Sequence, residues 1–191
     1  MNIMKNRLIL IAAAVASMAA LSCSTELTNN AAPVELVVTN SQNLTLVDLD
    51  PLTTDTDCDQ PIGTINLQVF PKNSSAEGNF VQVRAQRYRV SYRRTDGGTV
   101  VPAPFVRSMD TLIGVGDSVG SNFTVLEGDA VSQAPFAALQ PQNGSRDPET
   151  GRSTVKLEVI LEVFGETLAG DNVYDSTAFP LELCYGCGGC S

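Results

Sequence analysis

Apolar and polar residues alternate along several stretches of this chain, and this pattern limits its fold more than any other feature does. The clearest stretch has five apolar residues at alternate positions: Val155, Leu157, Val159, Leu161 and Val163. Side chains alternate between the two faces of a β-strand, so the pattern predicts strands with one buried face. Similar stretches lie at 34–39, 65–69 and 179–183, separated by clusters of Gly, Pro, Asn and Asp. The spacing predicts an all-β sandwich of about eight or nine antiparallel strands.

The apolar residues between positions 80 and 94 change parity part-way along the segment. Before Gln86 they occupy odd positions, and after it they occupy even ones: Val81, Val83 and Ala85, then Tyr88, Val90 and Tyr92. A change of parity within one strand predicts a β-bulge near Gln86. The following Asp96-Gly97 pair predicts a hairpin turn over 95–98, with a return strand at Thr99–Val101.

Three segments between the predicted strands have loop or turn composition. GVGDSVG at 114–120 and PQNGSRDPETGR at 141–152 are predicted to be loops. The glycines of 114–120 do not fit the dinucleotide-binding fingerprint, so no phosphate site is predicted there. The segment 132–140 is predicted to hold one short helical turn.

Arginines are concentrated in the segment 80–94, at positions 84, 87, 89, 93 and 94. If Tyr88 and Tyr92 point into the sandwich, Arg87, Arg89 and Arg93 share its outer face. This cationic stripe is a candidate binding surface for an anionic glycan or a lipid phosphate, and the alternative is an ordinary solvated strand face. We expect the stripe to be mostly open and not covered by the acidic loop 48–59.

The sequence Tyr88-Arg89-Val90-Ser91-Tyr92, followed by a Gly-Gly turn, resembles the central strand of immunoglobulin-like and fibronectin type III sandwiches. The resemblance implies an immunoglobulin-like antiparallel β-sandwich, here without the usual core tryptophan because the chain has no Trp. The C-terminal third resembles uncharacterised bacterial lipoproteins whose last strand runs into a Cys-x-x-Cys tail. That family has no known activity to carry over.

The first 22 residues have the composition of a secretory signal. Lys5 and Arg7 precede an uncharged apolar run from Leu8 to Ala20, which is too short to span a bilayer as a helix. Small residues then lead to Ser22-Cys23, and this arrangement resembles the lipobox of bacterial lipoproteins. Ala20 stands where that pattern usually has Leu.

The lipobox resemblance implies cleavage before Cys23 and acylation of that cysteine. Two or more acyl chains anchor a protein stably to a membrane. Residues 23–32 then form a lipid anchor and a polar spacer, which reaches roughly 30 Å when extended, and 33–191 form the sandwich domain. Ser24 is not the Asp that signals inner-membrane retention in many Gram-negative bacteria, which favours the outer membrane.

Composition excludes several functions. The formal net charge is −9, which argues against nucleic acid as a partner. The chain has no histidine, which removes Ser-His-Asp and Cys-His catalysis and His-ligated metal sites. No cofactor is predicted.

Four cysteines remain after Cys23: Cys58, Cys184, Cys187 and Cys190. An even number in an exported chain predicts two disulfides. We predict that Cys58 bonds to Cys184 or Cys187, and that two of the last three pair with each other. A thiolate metal clamp and a redox Cys-x-x-Cys at Cys187 and Cys190 are the alternatives.

Five aspartates form the one dense acidic cluster, and it is a candidate calcium site: Asp48, Asp50, Asp55, Asp57 and Asp59. Residues 55–59 begin like an EF-hand loop, but Gln60 and Asn66 stand where that loop needs Gly and Glu. The alternative is an acidic solvated loop near a disulfide.

The sequence therefore predicts a lipid-anchored envelope protein that acts as a structural or binding module without enzymatic activity, with the membrane and a protein or glycan as partners. A small redox or carboxylate-based enzyme and a calcium-binding surface module are the alternatives.

Overall fold

The protein is an all-β sandwich. A computed structural model describes residues 31–41, 46–50, 62–76 and 78–187. Within these ranges eight strands form two sheets, and the helical residues belong to short 3₁₀ turns. The strands are β1 Val34–Asn40, β2 Leu46–Asp48, β3 Ile62–Pro71, β4 Val83–Arg94, β5 Phe105–Ile113, β6 Ser118–Thr124, β7 Thr154–Thr167 and β8 Asn172–Cys184.

The two sheets have the strand order of an immunoglobulin-like sandwich. One sheet has the order β1-β3-β6 and the other β2-β8-β7-β4-β5. The order β1-β3-β6 corresponds to strands A-B-E of the immunoglobulin fold, and β8-β7-β4-β5 corresponds to strands G-F-C-C′, with β2 added at the edge beside β8. The predicted fold class is confirmed, and Tyr88–Tyr92 lie on β4, an interior strand that pairs with β7 and β5.

One strand pairing departs from the predicted antiparallel sandwich. β2 runs parallel to β8, with Leu46 opposite Glu182 and Asp48 opposite Cys184. β1 and β2 are consecutive in sequence but belong to different sheets. No hairpin joins β2 to β8, so nothing imposes an antiparallel direction on this pair.

The core lies between the sheets and is filled by the alternating residues that the sequence singled out. All five alternate apolar residues of β7 from Val155 to Val163 are fully buried. Tyr88 and Tyr92 are buried as predicted. The Tyr92 hydroxyl donates to the backbone oxygen of Val125 at 2.7 Å, and the Tyr88 hydroxyl accepts from the backbone N–H of Thr124 at 3.0 Å. The two tyrosines thus satisfy buried polar groups while they fill apolar space.

The predicted bulge in β4 is confirmed. The register of β4 shifts between Ala85 and Arg87 against both neighbouring strands. Ala85 lies opposite Gly165 of β7, and a Cβ atom on this glycine would lie 2.6 Å from the carbonyl oxygen of Arg84. The extra residue at the bulge lets the apolar residues on both sides of Gln86 face the core.

The return strand predicted at Thr99–Val101 is wrong. Residues 98–104 form no strand, and the partner of β4 begins only at Phe105. The backbone N–H groups of Thr99 and Val100 donate to the Glu149 carboxylate at 2.8 and 2.9 Å. These two N–H groups therefore bond to a carboxylate on a distant loop and not to a neighbouring strand.

Three loop predictions have mixed outcomes. The loop predicted at 114–120 is wrong in extent, because β6 begins at Ser118; the connection is a tight turn in which Gly116 has a φ of 83°. The segment 132–140 contains a 3₁₀ turn at Phe136–Leu139, as predicted. Residues 141–152 lie outside the strands, also as predicted.

Candidate functional site

The predicted lipid anchor lies outside the described residues. Cys23 and most of the spacer 23–32 belong to that part of the chain, as does the whole signal segment 1–22. The structure therefore leaves these predictions untested. No helix in the part that the structure describes is long and apolar enough to cross a membrane.

Two of the C-terminal cysteines are paired. β8 ends at Cys184, the chain turns at Gly186 with a φ of 62°, and Cys187 forms a disulfide with Cys184 at a Cα–Cα distance of 6.0 Å. This bond uses both candidate partners of Cys58, so the predicted bridge from Cys58 to either of them is wrong. The tight turn at the end of β8 makes the local pair possible. Cys58 and Cys190 lie outside the described residues.

The aspartate cluster divides between described and undescribed residues. Asp48 is buried, and its Oδ1 accepts from the backbone N–H groups of Asp50 at 3.0 Å and Gly186 at 2.8 Å. This carboxylate therefore supports the backbone around the C-terminal turn. Asp55, Asp57 and Asp59 lie outside the described residues. Within the described ranges no three acidic or thiol side chains come together as metal ligands.

The outer face of the five-stranded sheet has the predicted register. Arg87, Arg89 and Arg93 are exposed on β4, while Tyr88, Val90 and Tyr92 face the core. In the sheet, Arg87 lies opposite Phe164, Arg89 opposite Glu162 and Arg93 opposite Glu158 of β7. The placement of the three arginines on one outer face is therefore confirmed.

Two of these three cations are neutralised by the neighbouring strand. Arg89 forms a two-point ion pair with Glu162, with one contact of 2.7 Å from Nη2 to Oε1. The hydrogen bond from Arg89 lowers the pKa of Glu162, which keeps this mostly buried carboxylate ionised. Arg93 reaches Glu158 at 2.6 Å. The stripe is open, as expected, but β7 cancels much of its charge.

Arg87 is held differently. Its guanidinium lies over the ring of Phe164, 5.1 Å from the centroid, and Phe164 in turn contacts Tyr174 at a centroid distance of 5.1 Å. Among the residues that the structure describes, Arg87 has no carboxylate partner, whereas Arg84, Arg89, Arg93 and Arg94 each have one. Stacking on an aromatic ring holds a guanidinium in place without neutralising it.

A shallow groove begins beside Arg87 at the bulge. It has a volume of about 140 Å³, and two residues with amide side chains line it: Gln86 on β4 and Asn172 on β8. Gly165 and Val173 also line it. The groove therefore combines an unneutralised guanidinium with planar amide groups, and both kinds of group bind oxygen-rich ligands.

Arg94 does not belong to the exposed stripe. Its side chain is 1% exposed, and it binds Asp96 through two contacts, Nε to Oδ1 at 2.8 Å and Nη2 to Oδ2 at 2.9 Å. Nη2 also donates to Asp147 Oδ2 at 2.8 Å. Position 94 has the inward parity of Tyr92, and the buried ion pairs allow a cation to occupy it.

The carboxylates around Arg94 are ionised. Burial by itself raises the pKa of Asp96, but hydrogen bonds from Arg94 and from the N–H groups of Lys156 and Gly98 outweigh it and lower the pKa to about 2. The pKa of Asp147 is also lowered, because hydrogen bonds from Arg94 and Thr150 outweigh the effect of burial. This cluster was not predicted from the sequence, since Asp147 lies in a loop without periodicity. The inward parity of position 94 was the one signal that the sequence offered.

A cavity of about 300 Å³ lies next to the Arg94 cluster. Most of its wall is apolar and comes from the segment around the 3₁₀ turn: Ala134, Pro135, Ala137 and Ala138. Asp147 and Glu149 also line it. The cavity is the second candidate site of the described part, and no sequence motif indicated it.

Comparison with known proteins does not assign this chain to a family. No protein-family model matches it, and no curated protein is similar enough to count as a relative. The function has to be argued from the two sites themselves.

Proposed function

We propose that this protein is a lipid-anchored binding module of the bacterial cell envelope, and that it binds an anionic glycan in the groove beside Arg87. The h-region that runs into Ser22-Cys23 supports the anchor. The disulfide between Cys184 and Cys187 supports an oxidising compartment. The exposed outer face of the five-stranded sheet supports binding on this side of the domain.

The observation that carries the proposal is the state of Arg87. It is exposed, it is held over Phe164, and it has no carboxylate partner among the described residues. A ligand carboxylate can accept hydrogen bonds from two N–H groups of the Arg87 guanidinium, which the ring of Phe164 holds in place. The neighbouring amides of Gln86 and Asn172 are suited to the sugar hydroxyl groups. The ion pairs at Arg89 and Arg93 leave those two arginines less available for an anion.

Glycan binding can be tested by calorimetry on the full chain. Trigalacturonate, whose sugars carry carboxylates, should bind saturably, and uncharged maltotriose should not. Arg87→Ala should weaken the binding of trigalacturonate by about tenfold or more, because a charge-assisted hydrogen bond is lost. The affinity should also fall as salt is added, since the site is exposed.

Arg84→Ala is the matched control. Arg84 is exposed on the same strand but already has Asp110 at 3.5 Å, so its loss should leave the affinity almost unchanged. Equal weakening by the two substitutions would mean that the protein attracts anions through its general surface charge, and the groove would be refuted as the site. Failure of the wild-type chain to bind trigalacturonate would refute the proposal for this ligand class.

The anchor has its own test. Mass spectrometry of protein extracted from membranes should show an N-terminal peptide that begins at an acylated Cys23. An unacylated peptide that spans Ser22 and Cys23 in the mature protein would contradict lipidation.

A further inference from the structure

We propose that the cavity beside Arg94 binds a small organic ligand with a positively charged ammonium group, and that Asp147 accepts a hydrogen bond from that group. This site is separate from the groove of the proposed function. The groove is lined by β4, β7 and β8, whereas the cavity is lined by the loops at 100, 134–143 and 147–149.

One oxygen atom of Asp147 has no hydrogen-bond partner among the described residues. Asp147 is 1% exposed and lines the cavity. Its Oδ2 accepts three hydrogen bonds: from Arg94 Nη2 at 2.8 Å, from the Thr150 backbone N–H at 3.1 Å and from the Thr150 hydroxyl at 2.7 Å. Its Oδ1 accepts none, and within the described residues it is the one buried side-chain oxygen or nitrogen in this state.

An unsatisfied buried carboxylate oxygen is costly, and native proteins rarely keep one without a reason. The neighbouring donors of the protein, from Arg94 and Thr150, all donate to Oδ2. Because Asp147 lines the cavity, a ligand bound there is placed next to this carboxylate. A ligand that brings an N–H donor into the cavity would satisfy Oδ1.

The charged groups around the cavity favour a cation. One guanidinium, Arg94, faces the carboxylates of Asp96, Asp147 and Glu149 at distances of 2.8, 2.8 and 3.8 Å. The pKa values of all three carboxyl groups are lowered, so the cluster carries more negative than positive charge at neutral pH. Arg146, on the same loop, donates to the backbone oxygen of Gly151 and forms no ion pair with these carboxylates among the described residues. A cation therefore fits this cavity better than an anion does.

The size and the wall of the cavity favour a small, partly apolar ligand. Its volume of about 300 Å³ is at the lower end of the range for ligand pockets, roughly 300–1,000 Å³. The wall is mainly alanine and proline, which favours an apolar body on the ligand. An ammonium group on a short hydrocarbon or a single ring satisfies the wall and Asp147 together.

The test uses benzylammonium as the probe and benzyl alcohol as its neutral counterpart. Alanine methyl groups of the full chain are labelled with carbon-13 and followed by NMR during titration. Benzylammonium should shift the methyl signals of Ala134, Ala137 and Ala138 saturably, and benzyl alcohol should bind about tenfold more weakly or worse, because it lacks the charge. Absence of a saturable shift at millimolar benzylammonium would overturn the proposal, and equal binding of the two probes would overturn the role of Asp147.

Variants locate the binding. Ala138→Leu fills the cavity without touching the ion pairs and should abolish the shifts at the other two alanines. Ala103→Leu, the same substitution in a neighbouring depression of the surface, should leave binding unchanged. Asp147→Asn should remove the preference for benzylammonium over benzyl alcohol, provided that its NMR spectrum shows a folded domain. If Ala138→Leu still binds as the wild type does, the probe binds elsewhere and the cavity is refuted as the site.

Discussion

Replacement of Arg94 by methionine tests the buried ion cluster directly. Methionine keeps an unbranched apolar side chain of similar reach, so the main loss is the guanidinium. The side chains of Asp96 and Asp147 are 0% and 1% exposed. Without Arg94 both carboxylates stay buried, and their strongest donor is gone.

The expected cost follows from this burial. Removal of one partner from a buried ion pair destabilises a protein by about 3–5 kcal/mol, because the remaining charge is left uncompensated. For a domain of this size each kcal/mol lowers the melting temperature by about 2–4 °C, so Arg94→Met should lower it by roughly 6–20 °C. Arg94→Lys should fall between methionine and the wild type, since lysine keeps the charge but loses the two-point fork to Asp96.

The assay is urea unfolding followed by circular dichroism and by tyrosine fluorescence, with Arg84→Met as the control. Arg84 and Asp110 form a surface pair, with side chains 53% and 81% exposed, and such pairs contribute about 0–1 kcal/mol. The same change on the same strand should therefore have little effect. If Arg94→Met loses no more stability than Arg84→Met, the cluster is not buried in solution and the reasoning is refuted.

Three further predictions concern stability. The folded-state pKa of Asp96 is about 2, below its ordinary 3.8; its ionised form thus stabilises the fold above about pH 4, and this contribution is lost as pH falls toward 2. Urea midpoints should decline over that range, and an equal decline in Asp96→Asn would contradict the assignment. Gly165→Ala should cost about 1–3 kcal/mol in urea unfolding, because its Cβ meets a backbone oxygen of β4, whereas Gly128→Ala, with open space around it, should cost little. Tyr92→Phe should cost about 1–3 kcal/mol by the same measurement, since it leaves the buried Val125 oxygen without its donor; an unchanged midpoint would show that water replaces the hydroxyl.

The sequence predicted the local features well because strand periodicity is a local property. The alternation in 155–163, the change of parity at Gln86 and the inward Tyr88 and Tyr92 follow from which face of a strand each residue occupies. A bulge also leaves a local trace, because an extra residue exchanges the two faces. Loop boundaries were less predictable, since Thr99 and Ser118 have similar surroundings in sequence, yet one is bound by Glu149 and the other joins a sheet.

Charge partners could not be predicted from local patterns. Arg87, Arg89 and Arg93 look equivalent in the sequence, and only the pairing of β4 with β7 gives two of them a glutamate and the third a phenylalanine. The bond between Cys184 and Cys187 depends in the same way on the turn after β8. Ion pairs and disulfides join residues whose distance is set by the folded chain and not by their spacing.

By itself, the sequence determined the all-β class, the inward face of each main strand, the bulge and the exposed position of the arginine stripe. These features depend on periodicity and on the free energy of apolar burial, and both act residue by residue. Only the tertiary structure decided that Arg87 has no carboxylate partner among the described residues and that Arg94 is buried against Asp147, 53 residues away. It also decided that a cavity forms beside an unsatisfied carboxylate oxygen. Those properties arise where segments distant in sequence come into contact. The physical reason is that the burial of a side chain and the charges around it depend on all the segments packed against it.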